Sequence, residues 1–343
     1  MLAPAEITPP VVGEAAPPAE ASTPGDRLVL VLPLESPVYG HAAEAVRAGF
    51  LAAASAAGRT ENTRVLGHGD DGVLPAFTAA AQTDPALLIG PLTRDDLKTV
   101  ISLAPVRARM LALNQPEEGI ALPAQAYALA LSVESDAALL ARRAYDDNVR
   151  AIVVVASEAP LQRRFASAFV AAWERAGGAP PRQYTFDANP DVLVVLRREL
   201  AAKAPEATVL AVGSSDAALA KSFLPPGPVY ASSQIADALA PSMLRELDGV
   251  RYVEIPWLAD PANPAFARFP RASLGDPVLE RLYALGLDAF TLAQLLSSPA
   301  PPQRIEFDGA TGRLTLLPSR LFARDGRVML IRDGQSIPYP VAQ

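Results

Sequence analysis

The feature that most constrains this chain is a regular alternation of short apolar strands and amphipathic helices, which occurs twice in succession. Leu28–Leu32 is almost wholly apolar, as a strand buried on both faces of a parallel sheet must be. Further strands are predicted at 65–66, 87–89 and 110–113, and in a second set at 127–131, 152–155, 183–186 and 209–212. Repeated strand–helix units build parallel sheets, so the chain is predicted to be an α/β protein of two doubly wound, Rossmann-like lobes joined by a hinge.

The remaining segments set the predicted domain limits. Residues 1–26 are rich in proline and alanine, so we expect a disordered tether there. Residues 276–297 predict one helix, with Asp276 as its N-cap, and strands joined by Asp-Gly turns follow it. Because this helix comes after the second lobe is complete, we expect it to pack on the first. The expected division is lobe 1 at 27–122 plus 258–300, and lobe 2 at 123–257 plus 301–343.

Composition and charge argue against several functions. The chain has 30 basic and 37 acidic residues, a net charge of −7, and so lacks the concentrated positive charge that nucleic-acid binding needs. It has no cysteine, which excludes disulfides, thiolate metal sites and cysteine nucleophiles. Its two histidines, His41 and His68, belong to no metal-binding or nucleophile motif. We therefore predict a protein that is not an enzyme and has no cofactor, no metal and no nucleic-acid partner.

Polar residues at the strand ends are the candidate ligand-binding residues. In open parallel sheets, ligands lie beyond the carboxyl ends of the strands. The residues predicted to hold a small polar ligand in the cleft between the lobes are Ser36, Tyr39, Gly40, Thr93, Asn114, Gln115, Ser132, Ser214 and Ser215. Their side chains offer neutral hydrogen-bonding groups, and the alternative is that they are ordinary loop and helix-cap residues.

Several longer motifs are spread over residues 28–338. They are IGPL at 89–92, LALNQ at 111–115, YALALS at 127–132, LDGVRYVEIPWL at 247–258, FDGATGRL at 307–314 and RDG at 332–334. With them the chain resembles the LppC-type lipoproteins, the penicillin-binding-protein activators, in their C-terminal domain with the type 1 periplasmic-binding-protein fold. The segments DGVRYVEIPWL and GATGRL are the most diagnostic.

The resemblance implies a non-enzymatic periplasmic protein, anchored to the outer membrane, that binds and activates a bifunctional penicillin-binding protein in peptidoglycan synthesis. The start, MLAPAEITPP, lacks the features of a secretion signal. Membrane attachment is expected only through an N-terminal lipid anchor not present in this chain, and whether a lipidated cysteine precedes Met1 stays open. Four tail arginines, Arg320, Arg324, Arg327 and Arg332, are either a docking edge for the partner or an ordinary solvated edge.

The alternative function is a periplasmic solute receptor for an amino acid or a small peptidoglycan fragment. Amino-acid-binding relatives of this fold place hydroxyl donors after two strands of the first lobe. Thr93 matches the first position, but the second carries Asn114 and Gln115. This departure favours a regulatory role over solute capture. A transcription repressor of the same fold would need a DNA-binding module, which residues 1–26 cannot supply.

Overall fold

The computed structural model describes residues 27–103, 108–117, 119–237, 241–271 and 274–340; the predicted tether lies outside them. The elements of the first lobe are β1 (Leu28–Leu32), α1 (Gly40–Ala56), β2 (Thr63–Gly67), α2 (Val73–Ala81), β3 (Leu87–Ile89), α3 (Arg94–Leu103), β4 (Met110–Ala112) and β5 (Ala126–Ala128). Its five strands form a parallel sheet in the order β2-β1-β3-β4-β5. Helices α2 and α3 cover one face of the sheet, and α1 covers the other.

The second lobe repeats this plan. Its helices are α4 (Val133–Asp146), α5 (Pro160–Arg175), α6 (Pro190–Ala202), α7 (Ser214–Ser222) and α8 (Pro241–Glu246). The short helix α9 (Pro256–Ala259) follows the last parallel strand and places Trp257 in the core of the first lobe. The parallel strands of the second lobe are β6 (Ile152–Ala156), β7 (Arg182–Thr185), β8 (Ala207–Ala211), β9 (Val229–Ala231) and β10 (Val250–Glu254). One face packs on α4 and α5 and the other on α6 and α7, so both lobes are doubly wound, as predicted.

After the second lobe the chain returns to the first through helix α10 (Pro277–Leu296). The tail then forms β11 (Glu306–Asp308), β12 (Arg313–Leu316), β13 (Phe322–Asp325), β14 (Arg327–Arg332) and β15 (Gln335–Pro338). Strands β11 to β13 make a separate antiparallel sheet. Strands β14 and β15 extend the second sheet beyond β10, in antiparallel pairing, to seven strands. Short 3-10 helices cover Thr60–Asn62, Ser233–Ala236 and Pro264–Phe266.

Helix α10 packs on α1 of the first lobe, as its apolar stripe predicts. Two glycines allow the backbones to touch. A Cβ at Gly49 would lie 1.9 Å from the carbonyl oxygen of Tyr283, and one at Gly286 would lie 2.2 Å from that of Val46. Any larger residue at either position would force the helices apart, since a Cβ that close to backbone has no room to move. This contact holds α10, and the groups it carries, in one place.

Two features differ from the expected division. Strand β5, which the alternation put at the start of the second set, pairs with β4 and forms the edge of the first sheet. A three-residue strand carries no signal of its own for which sheet it joins, so tertiary pairing decides. In the tail, Leu314 and Phe322 are buried in the same core as Tyr283 of α10. The expected lobe limits at 122/123 and 300/301 remain a prediction.

Candidate functional site

A cavity of about 400 Å³ lies between the lobes, at the carboxyl ends of the strands. The first lobe contributes loop residues after β1, β3 and β4, and the second lobe contributes the starts of α4 and α5. Helix α10 supplies Leu282 and Leu285. The charged groups in the lining are Arg94, Asp95 and Arg164. We call this space the cleft cavity.

The structure brings together four of the predicted ligand-binding residues: Tyr39, Thr93, Asn114 and Ser132 all line the cleft cavity. Gln115 lines a neighbouring cavity of about 950 Å³. The residues Ser36, Gly40, Ser214 and Ser215 are not among those that line either cavity. Ser36 lies in the loop before α1, Gly40 is the first residue of α1, and Ser214 and Ser215 begin α7. Ligand binding by this set stays a prediction.

Two of the three hydroxyl groups in the lining of the cleft cavity, those of Thr93 and Ser132, already serve as helix caps. Thr93 Oγ1 accepts a hydrogen bond from the Asp96 backbone N–H (3.1 Å) and donates one to the Asp96 carboxylate (2.7 Å). Ser132 Oγ accepts from the Ser135 N–H at 3.1 Å and lies 3.1 Å from a carboxylate oxygen of Glu134. Such caps satisfy N–H groups that have no partner inside the helix. A ligand would therefore have to compete for these hydroxyls.

Asn114 is occupied in the same way. Its side-chain amide donates to the Leu92 carbonyl at 2.9 Å, and its oxygen accepts from the Gln115 N–H at 3.0 Å. It joins the loops that follow β3 and β4. Thr93, Asn114 and Ser132 thus hold loops and helix ends in place.

Three charged residues in the cleft were missed from sequence. Arg164 donates two hydrogen bonds to Glu134, at 2.8 and 3.2 Å, and Arg94 of the first lobe donates one to the same carboxylate at 3.3 Å. We call Arg94, Glu134 and Arg164 the cleft triad; it joins the two lobes. Partial burial alone would raise the pKa of Glu134, but the hydrogen bonds and charges of the two arginines hold that pKa below its usual value. Arg94 directly follows Thr93, and Glu134 lies two residues after Ser132. Including charged residues beside the strand ends would therefore have added both to the predicted set.

A second group of charges joins the lobes beside α10. Arg281 forms a fork with Glu254 at the end of β10, with distances of 3.0 and 2.7 Å, and it contacts Asp237 at 2.9 Å. We call Asp237, Glu254 and Arg281 the hinge cluster. Burial raises the pKa of Asp237 despite the neighbouring guanidinium. Two parallel hydrogen bonds of this kind fix the relative orientation of the guanidinium and the carboxylate as well as pairing their charges.

The tail sheet is tied to both lobes by buried polar groups. Asp288 of α10 accepts from the N–H groups of Ala310 and Thr311, both at 2.8 Å, and from the Thr311 hydroxyl at 2.6 Å. Arg324 pairs with Asp136 of α4 and also donates to the Thr311 carbonyl at 3.1 Å. The GATGRL motif is therefore the loop that binds Asp288.

The tail arginines divide into two kinds. Arg324 is buried in its pair with Asp136, and Arg320 donates to the backbone carbonyls of Leu122 and Ala126. Both are structural. Arg327 and Arg332 are exposed, so a docking edge could use only these two of the four.

The other sequence features are structural where the structure describes them. Trp257, in the diagnostic motif at 247–258, is buried and donates to Glu280 of α10 at 2.9 Å. His68 is buried near Asp96. Within the described ranges, no three histidine or acidic side chains cluster as metal ligands would. None of the described helices combines the length and apolar character needed to cross a membrane.

Comparison with known proteins places the chain in a family. The family model described as "LppC putative lipoprotein" matches residues 21–196 and 200–328. A protein named penicillin-binding protein activator LpoA, from Klebsiella pneumoniae, is 29% identical over 300 residues, which cover 76% of this chain and 42% of that protein. The protein of the same name from Escherichia coli is 25% identical over 303 residues, covering 75% and 44%. The chain thus spans less than half the length of these two relatives.

Solved structures share the fold over almost the whole chain. The C-domain of LpoA from Haemophilus influenzae, described as a regulator of PBP1A, superimposes with a TM-score of 0.77 at 24% identity, covering 92% of this chain and all of that domain (100%). A protein described as "a putative branched-chain amino acid ABC transporter" from Chromobacterium violaceum has a TM-score of 0.75 at 36% identity, covering 89% and 99%. Both likenesses confirm the predicted two-lobed, periplasmic-binding-protein-like fold.

Proposed function

Because the chain belongs to the LppC lipoprotein family, we propose that it is a non-enzymatic regulator that binds a bifunctional penicillin-binding protein and raises its synthetic activity. The observation that carries this proposal is the name shared by its relatives in Klebsiella pneumoniae and Escherichia coli, penicillin-binding protein activator. The likeness to a complete domain described as a regulator of PBP1A supports it in fold. Fold alone would not carry function.

The cleft chemistry agrees with regulation by contact. The Thr93 and Ser132 hydroxyls and the Asn114 amide hold helix ends and loops, and Arg94 and Arg164 both pair with Glu134. We see in this arrangement a protein that works through its surface and the relative position of its lobes, and not through a reaction on a bound substrate. A two-lobed protein can present different surfaces in its open and closed forms.

We further propose that the domain acts in the periplasm and is held at the outer membrane by an N-terminal lipid in the full-length protein. The family description as a lipoprotein supports this placement.

The test is binding and activation with purified proteins. The chain is mixed with each bifunctional penicillin-binding protein of the same cell, and complex formation and glycan polymerisation are measured. We expect one synthase to bind and to polymerise faster. Arg332→Glu tests the exposed tail edge, with Arg64→Glu on the first sheet as a matched charge reversal. Failure of every synthase to bind would reject the proposal.

A second function is favoured by one comparison. The Chromobacterium violaceum protein, described as "a putative branched-chain amino acid ABC transporter", is 36% identical to this chain, against 29% and 25% for the LpoA relatives reported above. As a solute receptor, the chain would bind leucine, isoleucine or valine in the cleft. Calorimetry with these amino acids separates the two functions: micromolar binding without a synthase complex would establish the receptor.

A further inference from the structure

Exposed apolar side chains are concentrated on one face of the second lobe. Helices α6, α7 and α8 pack on that face of the sheet. They carry five of the ten large hydrophobic residues that are exposed within the described ranges: Val192, Val194, Val195, Leu219 and Met243. Single exposed apolar residues are ordinary, but several gathered on one face are typical of a surface that another molecule covers.

Helix α6 carries three of these residues, and its own packing does not explain them. Leu193, Leu196 and Leu200 form its buried stripe, so the opposite side faces solvent. Val194 and Val195 lie on that side, 61% and 54% exposed. Valine is a poor choice for a solvated helix position, because its branched Cβ loses rotamer freedom there. A contact made outside the chain would account for both valines.

Two charged residues lie on the same side of α6, one on each side of the valines. At about 100° per residue, Asp191 and Arg198 fall on the same stripe as the two valines. Both are exposed, and neither forms an ion pair with any residue that the structure describes. The neighbouring Arg197 is engaged within the chain, because its guanidinium carbon lies 5.6 Å from the centre of the Phe223 ring.

We propose that this side of α6 is a self-association surface, and that a second copy of the chain packs its own α6 across it in antiparallel orientation. A twofold axis midway between Val194 and Val195 places Asp191 of each copy beside Arg198 of the other, because both lie about 5 Å from that midpoint along the helix. The stripe is thus complementary to itself, with valines at the centre and an ion pair at each end. A parallel pair would instead bring like charges together.

The expected contact is small, and it involves this chain alone. One pair of 13-residue helices forms an interface at or below the ~1,200 Å² of the smallest stable ones. We therefore expect a reversible dimer with a Kd on the order of 100 µM. The proposal does not depend on the proposed function.

The experiment is analytical ultracentrifugation of the purified chain from about 5 to about 500 µM in low salt, where charges are least screened. Wild type should change from monomer to dimer over this range. Val195→Glu should stay monomeric, because two carboxylates would then meet near the axis. Val278→Glu, at a valine that is 44% exposed at the start of α10, is the matched control and should dimerise like wild type.

The charges are tested by exchanging them. Asp191→Arg and Arg198→Asp each place like charges at both ends of the contact, so each should weaken dimerisation about tenfold. The double variant restores opposite charges and should return the Kd to within about threefold of wild type. Circular dichroism and melting of each variant show whether it is folded.

Three results would overturn the proposal: a wild-type chain that is monomeric at every concentration, a dimer that Val195→Glu leaves intact, or a double exchange that dimerises no better than the single ones. A monomeric chain that loses synthase binding on Val195→Glu would assign this side of α6 to the synthase and not to a second copy.

Discussion

The cleft triad and the hinge cluster join the same two lobes with the same chemistry, but they differ in burial. The side chains of Arg94, Glu134 and Arg164 are 27%, 30% and 39% exposed. Those of Arg281, Glu254 and Asp237 are only 12%, 9% and 16% exposed. Solvent can replace a lost partner in the cleft, whereas at the hinge a lost partner leaves a charge without compensation. We infer that the hinge cluster fixes the lobes and the cleft triad can exchange partners.

The difference follows from the elements that carry each group. Arg281 lies on α10, whose backbone is pressed against α1 through Gly49 and Gly286, so the guanidinium has a fixed base. Arg94 and Glu134 lie in the first turns of α3 and α4, at the open edge of each lobe. Residues that bind ligands or exchange partners are expected at such open edges, and not on a helix held as tightly as α10.

The largest effect is expected from Arg281→Met. Removing the guanidinium leaves Glu254 and Asp237 buried without their cation, which costs about 3–5 kcal/mol of unfolding free energy. Urea unfolding followed by circular dichroism measures it, with the exposed Arg163→Met as the control. Adding Glu254→Gln should recover part of the loss, since one uncompensated charge is then removed. A loss below about 1 kcal/mol would mean that the hinge cluster behaves like a surface pair.

A smaller, pH-dependent effect on stability is expected at Asp288, which ties the tail loop at residues 310–311 to helix α10. Burial raises the pKa of Asp288 to about 6, although the hydrogen bonds from Thr311 and Ala310 favour its ionised form. The usual value is 3.8, so between pH 3.8 and about 6 the folded state binds more protons than the unfolded state, and stability falls as pH rises. Across this pH range the free energy of unfolding therefore falls by about 3 kcal/mol on account of Asp288.

The Asp288→Asn variant tests whether stability falls as pH rises, as this pKa predicts. The variant loses the titrating group, so its stability relative to wild type should improve by about 2–3 kcal/mol from pH 4 to pH 7. Unfolding midpoints in urea across this range measure the difference. A difference independent of pH would show that Asp288 is ionised throughout.

Sequence predicted the fold well because buried parallel strands are apolar on both faces and helices show their period. Leu28–Leu32 and Ile152–Ala156 each lie inside a sheet, with a neighbouring strand on both sides. The partner of a short strand such as β5 depends on pairing across the chain, which no local pattern encodes. The buried contact between Asp288 and residues 310–311 is equally non-local, so GATGRL was recognisable as a motif but its physical role was not.

The site was harder to predict from the sequence than the fold, because its contacts are also non-local. Thr93, Asn114 and Ser132 were correctly expected at the strand ends, and the structure brings them together in the cleft cavity. Their hydrogen bonds are local and serve the helix ends, as hydroxyl and amide groups there commonly do. Arg94 and Glu134 lie one and two residues after predicted ligand-binding residues, but only the approach of the two lobes makes Arg94 a neighbour of Glu134 and Arg164.

Thr93→Val separates capping from ligand binding in the cleft. The Asp96 N–H loses its acceptor, so we expect a loss of about 1 kcal/mol in unfolding free energy. Thr99→Val, one turn into the same helix, is the control. Amino-acid binding in the cleft cavity should be unchanged, because the Thr93 hydroxyl is engaged by Asp96. Loss of binding with unchanged stability would instead make Thr93 a ligand group.

The smallest effect is expected for the contact between Arg164 and Glu134. A double-mutant cycle with Arg164→Gln and Glu134→Gln should give a coupling energy of about 0.2–1 kcal/mol, as exposed ion pairs do. The coupling should weaken as salt is raised, because screening acts on charges that solvent reaches. The matching cycle with Arg281→Gln and Glu254→Gln should give a larger coupling that salt changes little. Equal couplings, with equal salt dependence, would remove the distinction between a fixed hinge and an exchangeable cleft, since both pairs would then hold the lobes with the same strength.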